Sequence, residues 1–454
     1  MLHLRQEARA TWTLAWPIMI GQLASTGTSF VDAVMAGHVS AGDLAAVSVG
    51  ASIWVMLIVT LIGLNLAASP LVAHAVGARR EAEVPPLVQQ ALYQGLCWAL
   101  IAWLIALAAA PIFPHLGLPP DVAAKAHGFL IAVSWGLVPF ALFRVLYGYS
   151  ASLGQTKPMM VISLIGLALN VPANWMLIYG HFGFPAMGGV GCGWATAFCM
   201  WVTLLLMVGW IRYAPAYRAT YPFRRWQRID WRRQRELFRL GAPMGVMFFV
   251  EVSAFGGIAL LMARLGTTSV AAHQIALNVA SLTFMIPSAL GTALTVRVGH
   301  ALGSGDARRA REIGNAGLVL GLIVACALAA MIIVGRTQIA GWYTKDVAVL
   351  ALAGVLLLYA GLFQLADATQ VVAAGILRGY KVTRQPMLVH LTAFWLVGIP
   401  LGYALAFGWQ GQPGSGATGY WQALVLALVC AAALLVWLFI RTSRRLSKTP
   451  NRLR

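Results

Sequence analysis

Residues 347–375 read VAVLALAGVLLLYAGLFQLADATQVVAAG, a stretch of 29 residues with one charged side chain, Asp367. An α-helix needs roughly 20 mostly apolar residues to cross the hydrocarbon core of a bilayer, so this stretch is long enough to be a transmembrane helix. In the whole chain, 60% of the residues are hydrophobic and 10% are charged, whereas a soluble domain carries about 25% charged residues. The composition therefore excludes a single soluble core and indicates a protein folded in lipid.

Eleven further stretches share this length and composition. Together with the quoted stretch, the predicted spans cover residues 14–36, 47–72, 89–113, 127–150, 159–180, 190–212, 240–263, 275–298, 315–339, 347–375, 387–408 and 419–441. Pro and Gly occur inside many of them, which bundled membrane helices tolerate because neighbouring helices satisfy the freed backbone groups. The sequence predicts an all-α integral membrane protein with twelve transmembrane helices.

The positive charges predict the orientation of these spans. If the N-terminus is cytoplasmic, 27 of the 32 Lys and Arg residues fall in cytoplasmic segments. Cytoplasmic loops carry the excess of Lys and Arg in membrane proteins, so we expect both termini to be cytoplasmic. The net charge of +19 then follows from topology, and we expect no nucleic-acid partner.

A basic connector lies at the middle of the chain. We predict an N-terminal six-helix lobe over 1–213, a cytoplasmic linker over 214–239, a C-terminal six-helix lobe over 240–441 and a basic cytoplasmic tail over 442–454. The linker's arginines are interpreted as an orientation signal that rests on anionic lipid headgroups.

The two predicted lobes look like copies of each other. A shift of 226 positions matches Pro17 with Pro243, Ala45-Ala46 with Ala271-Ala272, His74 with His300, and Gly77 with Gly303. Each copy holds an even number of spans, so both enter the membrane from the same side as parallel repeats. Such repeats are expected to enclose a central cleft that opens to either side in turn.

Three acidic residues lie inside predicted spans: Asp32, Glu251 and Asp367. A carboxylate at the centre of a membrane helix costs roughly 2.5 to 3.5 kcal/mol on insertion scales, so each needs a compensating role. One role is to take up a proton or ligate sodium as part of transport, and the other is to hold helices together through buried hydrogen bonds. The repeat favours transport, because the three acids align with Ile258, Ser25 and approximately Leu142.

Other polar residues within the spans give weaker signals. Asn170 and Asn174 lie one turn apart on one helical face, beside Pro172, and are placed to hydrogen-bond Asp32. They serve either as interhelical contacts or as part of a polar site. Arg144 is expected to snorkel or to pair internally. His74, His273 and His300 are expected to be structural, and Cys97, Cys192, Cys199, Cys326 and Cys430 to act as small hydrophobic residues.

Catalytic and nucleotide-binding patterns are missing from the sequence. The glycine cluster 188–193 is followed by no Gly-Lys-Ser/Thr anywhere in the chain, which argues against ATP-driven transport. No HExxH, paired-Cys or Ser-His-acid pattern occurs near the histidines, so we expect no enzymatic activity and no cofactor other than a coupling ion.

Several motifs together resemble the multidrug and toxic compound extrusion family, and its NorM-type bacterial branch most closely. They are Asp32 in the first span, Phe248-Phe249-Val250-Glu251-Val252, Ala271-Ala272-His273-Gln274, Val298-Gly299-His300-Ala301-Leu302-Gly303, and Asp367 leading into Gly375-Ile376-Leu377-Arg378-Gly379. The resemblance covers essentially the whole chain. It implies an antiporter that exports organic cations, such as dyes, antibiotics and toxic compounds, in exchange for protons or sodium by alternating access.

The resemblance also implies roles for individual residues. Glu251 and Asp367 would bind the coupling ion, sodium included, and the cationic substrate, while Asp32, Asn170 and Asn174 would form the polar site of the N-terminal lobe. Phe363 stands one turn before Asp367, where some sodium-coupled members are similar to each other in having tyrosine. The missing oxygen ligand favours protons over sodium.

Two other membrane functions, a flippase and a channel, fit the sequence less well. A flippase for a lipid-linked precursor would need a basic cleft for a phosphate headgroup, and the acids in the spans argue against it. A channel fits duplicated halves less well than alternating access does. We expect a monomer in the bacterial inner membrane, in contact with membrane lipid and small organic cations.

Overall fold

The computed structural model describes residues 2–409 and 412–448, which are almost entirely helical. The helices of the first half are α1 (Leu2–Val39), α2 (Ala41–Asn65), α3 (Ala68–Gly77), α4 (Val84–Ala109), α5 (Pro120–Ser134), α6 (Leu137–Ser152), α7 (Lys157–Tyr179) and α8 (Gly189–Tyr213). Those of the second half are α9 (Trp231–Met262), α10 (Thr267–Gly303), α11 (Ala307–Tyr343), α12 (Val347–Gly379), α13 (Arg384–Leu391), α14 (Ile399–Phe407) and α15 (Ala417–Lys448). Two-residue strands β1 (Gly408–Trp409) and β2 (Gln412–Pro413) pair antiparallel before α15.

The predicted spans coincide with these helices. Ten described helical segments are each long and apolar enough to cross a bilayer, and α5 with α6, bent by 43°, forms an eleventh. The remaining predicted span lies in α1, which is 38 residues long but carries Gln22, Asp32 and several hydroxyl side chains. The prediction of an all-α membrane protein is confirmed.

The repeat is visible in the helix boundaries. The segment containing α2 and α3 runs from Ala41 to Gly77, and α10 runs from Thr267 to Gly303, so both ends differ by the predicted 226 positions. The first copy is broken after Asn65, and Pro70 accounts for the break. Proline has no N–H to donate, and its ring crowds the carbonyl four residues earlier. The equivalent position in α10 is Val296, and α10 continues unbroken.

The chain divides into two compact units. One contains Trp16–Gly245, and the other contains the residues up to Ala15 together with those from Val246 onward. Both boundaries fall inside helices, α1 and α9. The lobes predicted from the sequence stay a prediction, and residues 449–454 of the predicted tail lie outside the described residues.

The basic linker is an ordered part of the first unit. Gln89 Nε2 on α4 donates to the carbonyl of Arg225 at 2.7 Å, and Gln90 Nε2 donates to that of Arg228 at 2.9 Å. Tyr217 donates or accepts a hydrogen bond with Ser150, and burial raises the pKa of the Tyr217 hydroxyl, so it stays neutral. Amide side chains of a membrane helix therefore satisfy the linker's backbone.

Arg297 and Arg378 lie near the ends of long helices. Arg297 is in α10 and Arg378 is in α12. Arg297 forms an ion pair with Glu7 and donates to the hydroxyl of Thr11 at 2.5 Å, and these contacts offset the cost of its partial burial. Both helices therefore continue past the predicted spans 275–298 and 347–375.

Close packing of α10 against α12 depends on glycine. A Cβ atom added at Gly375 would lie 2.4 Å from the carbonyl oxygen of Gly291, and one at Gly379 would lie 2.8 Å from the Val298 side chain. Thr295 also donates to the Gly375 carbonyl at 2.7 Å. The Gly375-to-Gly379 motif thus lets the two backbones approach closely, as small residues do between membrane helices.

Candidate functional site

Asp32 lies at the centre of a buried polar network in the first unit. Its Oδ1 accepts hydrogen bonds from Nδ2 of Asn174 at 2.6 Å and of Asn170 at 3.2 Å, and its Oδ2 accepts one from Oγ1 of Thr196 at 2.7 Å. The Asp32 side chain belongs to α1, the asparagines to α7 and Thr196 to α8. Asp32 is 7% exposed, and both asparagines are fully buried. All three donors are neutral, and within residues 2–409 and 412–448 no basic side chain forms an ion pair with this carboxylate.

The predicted hydrogen bonds from Asn170 and Asn174 to Asp32 are confirmed. The two asparagines also bond each other, with Asn174 Nδ2 donating to Asn170 Oδ1 at 2.9 Å. Thr196 was missed by the sequence analysis. A single threonine in a membrane helix carries little signal, because its hydroxyl usually bonds a carbonyl of its own helix.

Glu251 and Asp367 come together in the second unit. Asp367 on α12 is 2% exposed, and its Oδ1 accepts a hydrogen bond from Gln370 Nε2 at 3.1 Å. Glu251 on α9 lies near enough to interact electrostatically with Asp367. Within the described part of the chain, no Lys, Arg or His nitrogen lies within 4 Å of either carboxylate. Asp367, which is buried, and Glu251, which is half-buried, therefore share a region without a positive partner among the described residues.

Two glutamines extend this site along α12. Gln364 Oε1 accepts a hydrogen bond from Thr283 at 2.9 Å, while Gln364 Nε2 has no partner among the described residues. Gln370 Oε1 likewise has no donor in the described chain, although Gln370 is fully buried. Carboxylate and amide oxygens are the ligands that hard cations prefer. These glutamines were not predicted from the sequence, because their spacing alone does not distinguish a binding site from a contact between helices.

An aromatic cluster packs beside the two acids. Phe363 is 4% exposed and contacts Phe255 and Trp421, with ring centroids 6.2 and 5.8 Å apart. Phe255 also contacts Phe394, at 5.8 Å. Because Phe363 is locked into this cluster, α12 presents a ring rather than an oxygen one turn before Asp367.

A π-helical segment, Thr392–Gly398, joins α13 to α14. Its Trp395 Nε1 donates to the carbonyl of Val250 at 3.1 Å and lies 3.3 Å from Ser253 Oγ. Pro400 follows the segment and has no N–H, which weakens the regular α-helical ladder there. The π segment thus holds the stretch of α9 that carries Glu251.

The remaining predicted residues have structural contacts. The guanidinium of Arg144 lies 4.7 Å from the ring centre of Tyr147, so it pairs internally as expected. His273 is buried and accepts a hydrogen bond from Trp421 Nε1 at 3.2 Å. His74 lies near the end of α3 and His300 near the end of α10. All five cysteines are free.

A second buried acid in the first unit, Asp43, was not singled out from the sequence. Its Oδ2 accepts from Lys125 Nζ at 3.1 Å, and its Oδ1 accepts from the backbone N–H of Gly189 at 2.7 Å. Gly188 must be glycine, since its φ is +54° and a Cβ atom would lie 2.5 Å from Asp43 Oδ1. Asp43 therefore fixes the start of α8 against α2 and α5.

Duplicated helical halves, whose spans carry acids without a basic partner among the described residues, define a multi-pass membrane transporter. A family model described as MatE matches residues 17–176 and again 243–404, which recovers the predicted repeat with its offset. The chain belongs to this family, the multidrug and toxic compound extrusion transporters, and resembles its NorM-type members.

Relatives match along nearly the full chain. A probable multidrug resistance protein NorM of Chromobacterium violaceum is 44% identical over 97% of this chain and 95% of its own length. The multidrug resistance protein PmpM of Pseudomonas aeruginosa is 44% identical over 100% of this chain and 95% of its own. The crystal structure of the eukaryotic MATE transporter AtDTX14 has the same fold, with a TM-score of 0.88, 19% identity and complete coverage of both chains.

Proposed function

We propose that this protein exports organic cations across the bacterial inner membrane in exchange for protons or sodium. The observation that carries the proposal is the pair of buried Asp367 and half-buried Glu251, two acids near each other with no basic partner in the described chain. A charged residue inside the membrane without a countercharge is characteristic of ion and substrate pathways. The names of the relatives, multidrug resistance proteins, support toxic compounds as the cargo.

The coupling mechanism follows from the two acids. A coupling ion and a cationic substrate both compete for the same negative charge, so binding of one favours release of the other. Each positive charge that enters gains roughly 2.3 kcal/mol per 100 mV of inside-negative potential. This energy, together with the concentration gradient of the ion, drives the substrate outward.

Protons are the better-supported ion. The ring of Phe363 is held by Phe255 and Trp421, so this position offers no oxygen ligand. A sodium site would have to be assembled from Glu251, Asp367 and the free oxygen of Gln370.

The test is efflux of ethidium from proteoliposomes under an imposed pH gradient and then under a sodium gradient. We expect ethidium to move under the pH gradient, and Glu251→Gln to abolish the movement. Glu312→Gln is the matched control, because Glu312 is an exposed acid paired with Arg308 on α11. Ethidium movement under the sodium gradient alone would show that sodium, and not the proton, is the coupling ion. No movement under either gradient would refute the proposal and favour a flippase for lipid-linked precursors.

A further inference from the structure

The end of α15 carries a groove on its exposed face. The groove has a volume of about 320 Å³ and is lined by Trp437, Ile440, Arg441, Arg444 and Arg445. Positions spaced by three and four residues lie on one face of a helix, so these side chains form a single stripe. Residues on the other face, Leu435, Phe439 and Ser443, are fully buried and fix the orientation of the stripe.

Among the described residues, the arginines of this groove have no acidic partner. The Arg441 guanidinium lies 5.1 Å from the ring centre of Trp437, and in the described chain no carboxylate lies within 4 Å of any of the three. By contrast, Arg80, Arg233, Arg297, Arg308 and Arg309 all pair with Asp or Glu. Residues 446–454 contain no acid. The positive charge of the groove is therefore available to an external anion.

The groove begins where the apolar surface of α15 ends. Leu426, Val429 and Leu434 are exposed on the preceding turns, as expected for side chains that face lipid tails. Tryptophan is enriched at the level of the headgroups, and Trp437 marks that level here. An anion in the groove would lie directly above acyl chains that cover the preceding turns.

We propose that this groove binds the headgroup phosphate of an anionic phospholipid. Arginine suits this ligand because its planar guanidinium donates two parallel hydrogen bonds to phosphate oxygens. The Trp437 ring holds Arg441 in place, and its edge contacts the glycerol region of the lipid. Three guanidinium groups around one phosphate distinguish this site from the diffuse attraction of any basic segment for an anionic surface.

The proposal is tested by native mass spectrometry of the purified full-length protein titrated with phosphatidylglycerol. The double variant Arg441→Gln/Arg444→Gln removes two of the donors from an exposed face and leaves the buried face intact. The matched control is Arg232→Gln/Arg235→Gln, which removes the same charge from exposed positions on α9. We expect binding about thirtyfold weaker in the groove variant and unchanged binding in the control.

Further titrations distinguish a lipid site from a diffuse charge effect and from a site for free phosphate. Phosphatidylethanolamine should bind weakly, and inorganic phosphate at the same concentration should not displace phosphatidylglycerol. Arg441→Lys should retain part of the affinity, since a lysine keeps the charge. Equal losses in the two double variants would show a diffuse charge effect and overturn the proposal, as would equal binding of phosphatidylethanolamine. Displacement by inorganic phosphate would show a phosphate site rather than a lipid site.

Discussion

The acids within the spans have different hydrogen-bond partners in the two units. Asp32 in the first unit accepts hydrogen bonds from Asn170, Asn174 and Thr196. Asp367 in the second unit accepts one hydrogen bond among the described residues, from Gln370, and has a second acid as its electrostatic neighbour.

This difference shows how one duplicated fold supports two kinds of site. A carboxylate whose oxygens are occupied by protein donors needs no other ligand, and its network ties three helices together. A carboxylate with one donor and a nearby like charge has bonding capacity left for an ion or a cationic substrate. The first site is therefore suited to holding the fold, and the second to exchanging ligands.

The largest expected effect is that of Asp367→Asn on transport. Asparagine keeps the size of the side chain and an oxygen that accepts from Gln370, but it cannot carry the negative charge. We expect gradient-driven ethidium export to be abolished while the melting temperature of the purified protein changes little. Glu312→Gln is the control. If Asp367→Asn exported ethidium at the same rate as this control, the second unit would not be the site of ion and substrate exchange.

Gly375→Ala is expected to destabilise the second unit most. The new methyl group would meet the backbone of Gly291 at 2.4 Å, and a backbone cannot move aside as a flexible side chain can. We expect a loss of about 3 kcal/mol, seen as a lower melting temperature in detergent.

The matched control for this substitution is Gly354→Ala on the same helix. An added Cβ atom there meets nothing within 4 Å, and alanine favours a helix over glycine by roughly 1 kcal/mol. We expect Gly354→Ala to be neutral or stabilising. Equal losses in the two variants would show that the close approach of α10 and α12 is unimportant.

Asp32→Asn tests whether the acid of the first unit stabilises the fold. An asparagine at this position turns one acceptor oxygen into an NH₂ group that faces the donors of Thr196 or of the asparagines. Hydrogen bonds to charged groups contribute about 1.5 to 3 kcal/mol, so we expect a destabilisation of about 2 kcal/mol in the same thermal assay. A variant as stable as the parent protein would remove the structural role assigned to Asp32.

Thr196→Val is expected to have the smallest effect, about 1.5 kcal/mol, the lower end for a hydrogen bond to a charged group. Valine preserves the shape of the side chain and removes only the donor to Asp32 Oδ2. Thr203→Val is the control on the same helix, because its hydroxyl bonds the carbonyl of Met200 within α8. The assignment fails if the two valine variants melt at the same temperature.

The spans, the repeat and the three acids within the spans could all be predicted from the sequence. Hydrophobic length is a local property, so all twelve spans could be located before any packing was known. The offset of 226 followed from Pro17, Gly77 and their partners Pro243 and Gly303. A charged residue inside an apolar stretch is also a local feature of the sequence, and this feature identified Asp32, Glu251 and Asp367.

The hydrogen-bond partners of these acids depend on how the helices pack. Whether a carboxylate meets a donor depends on which faces of distant helices touch, and helical periodicity does not fix this for a span with polar residues on several sides. Asn170 and Asn174 could be predicted as donors to Asp32 because they share a helix face. Thr196 and Gln370 could be identified as donors only once the structure placed them beside Asp32 and Asp367. The ion pair of Arg297 with Glu7 was hidden for the same reason, since 290 residues separate its partners.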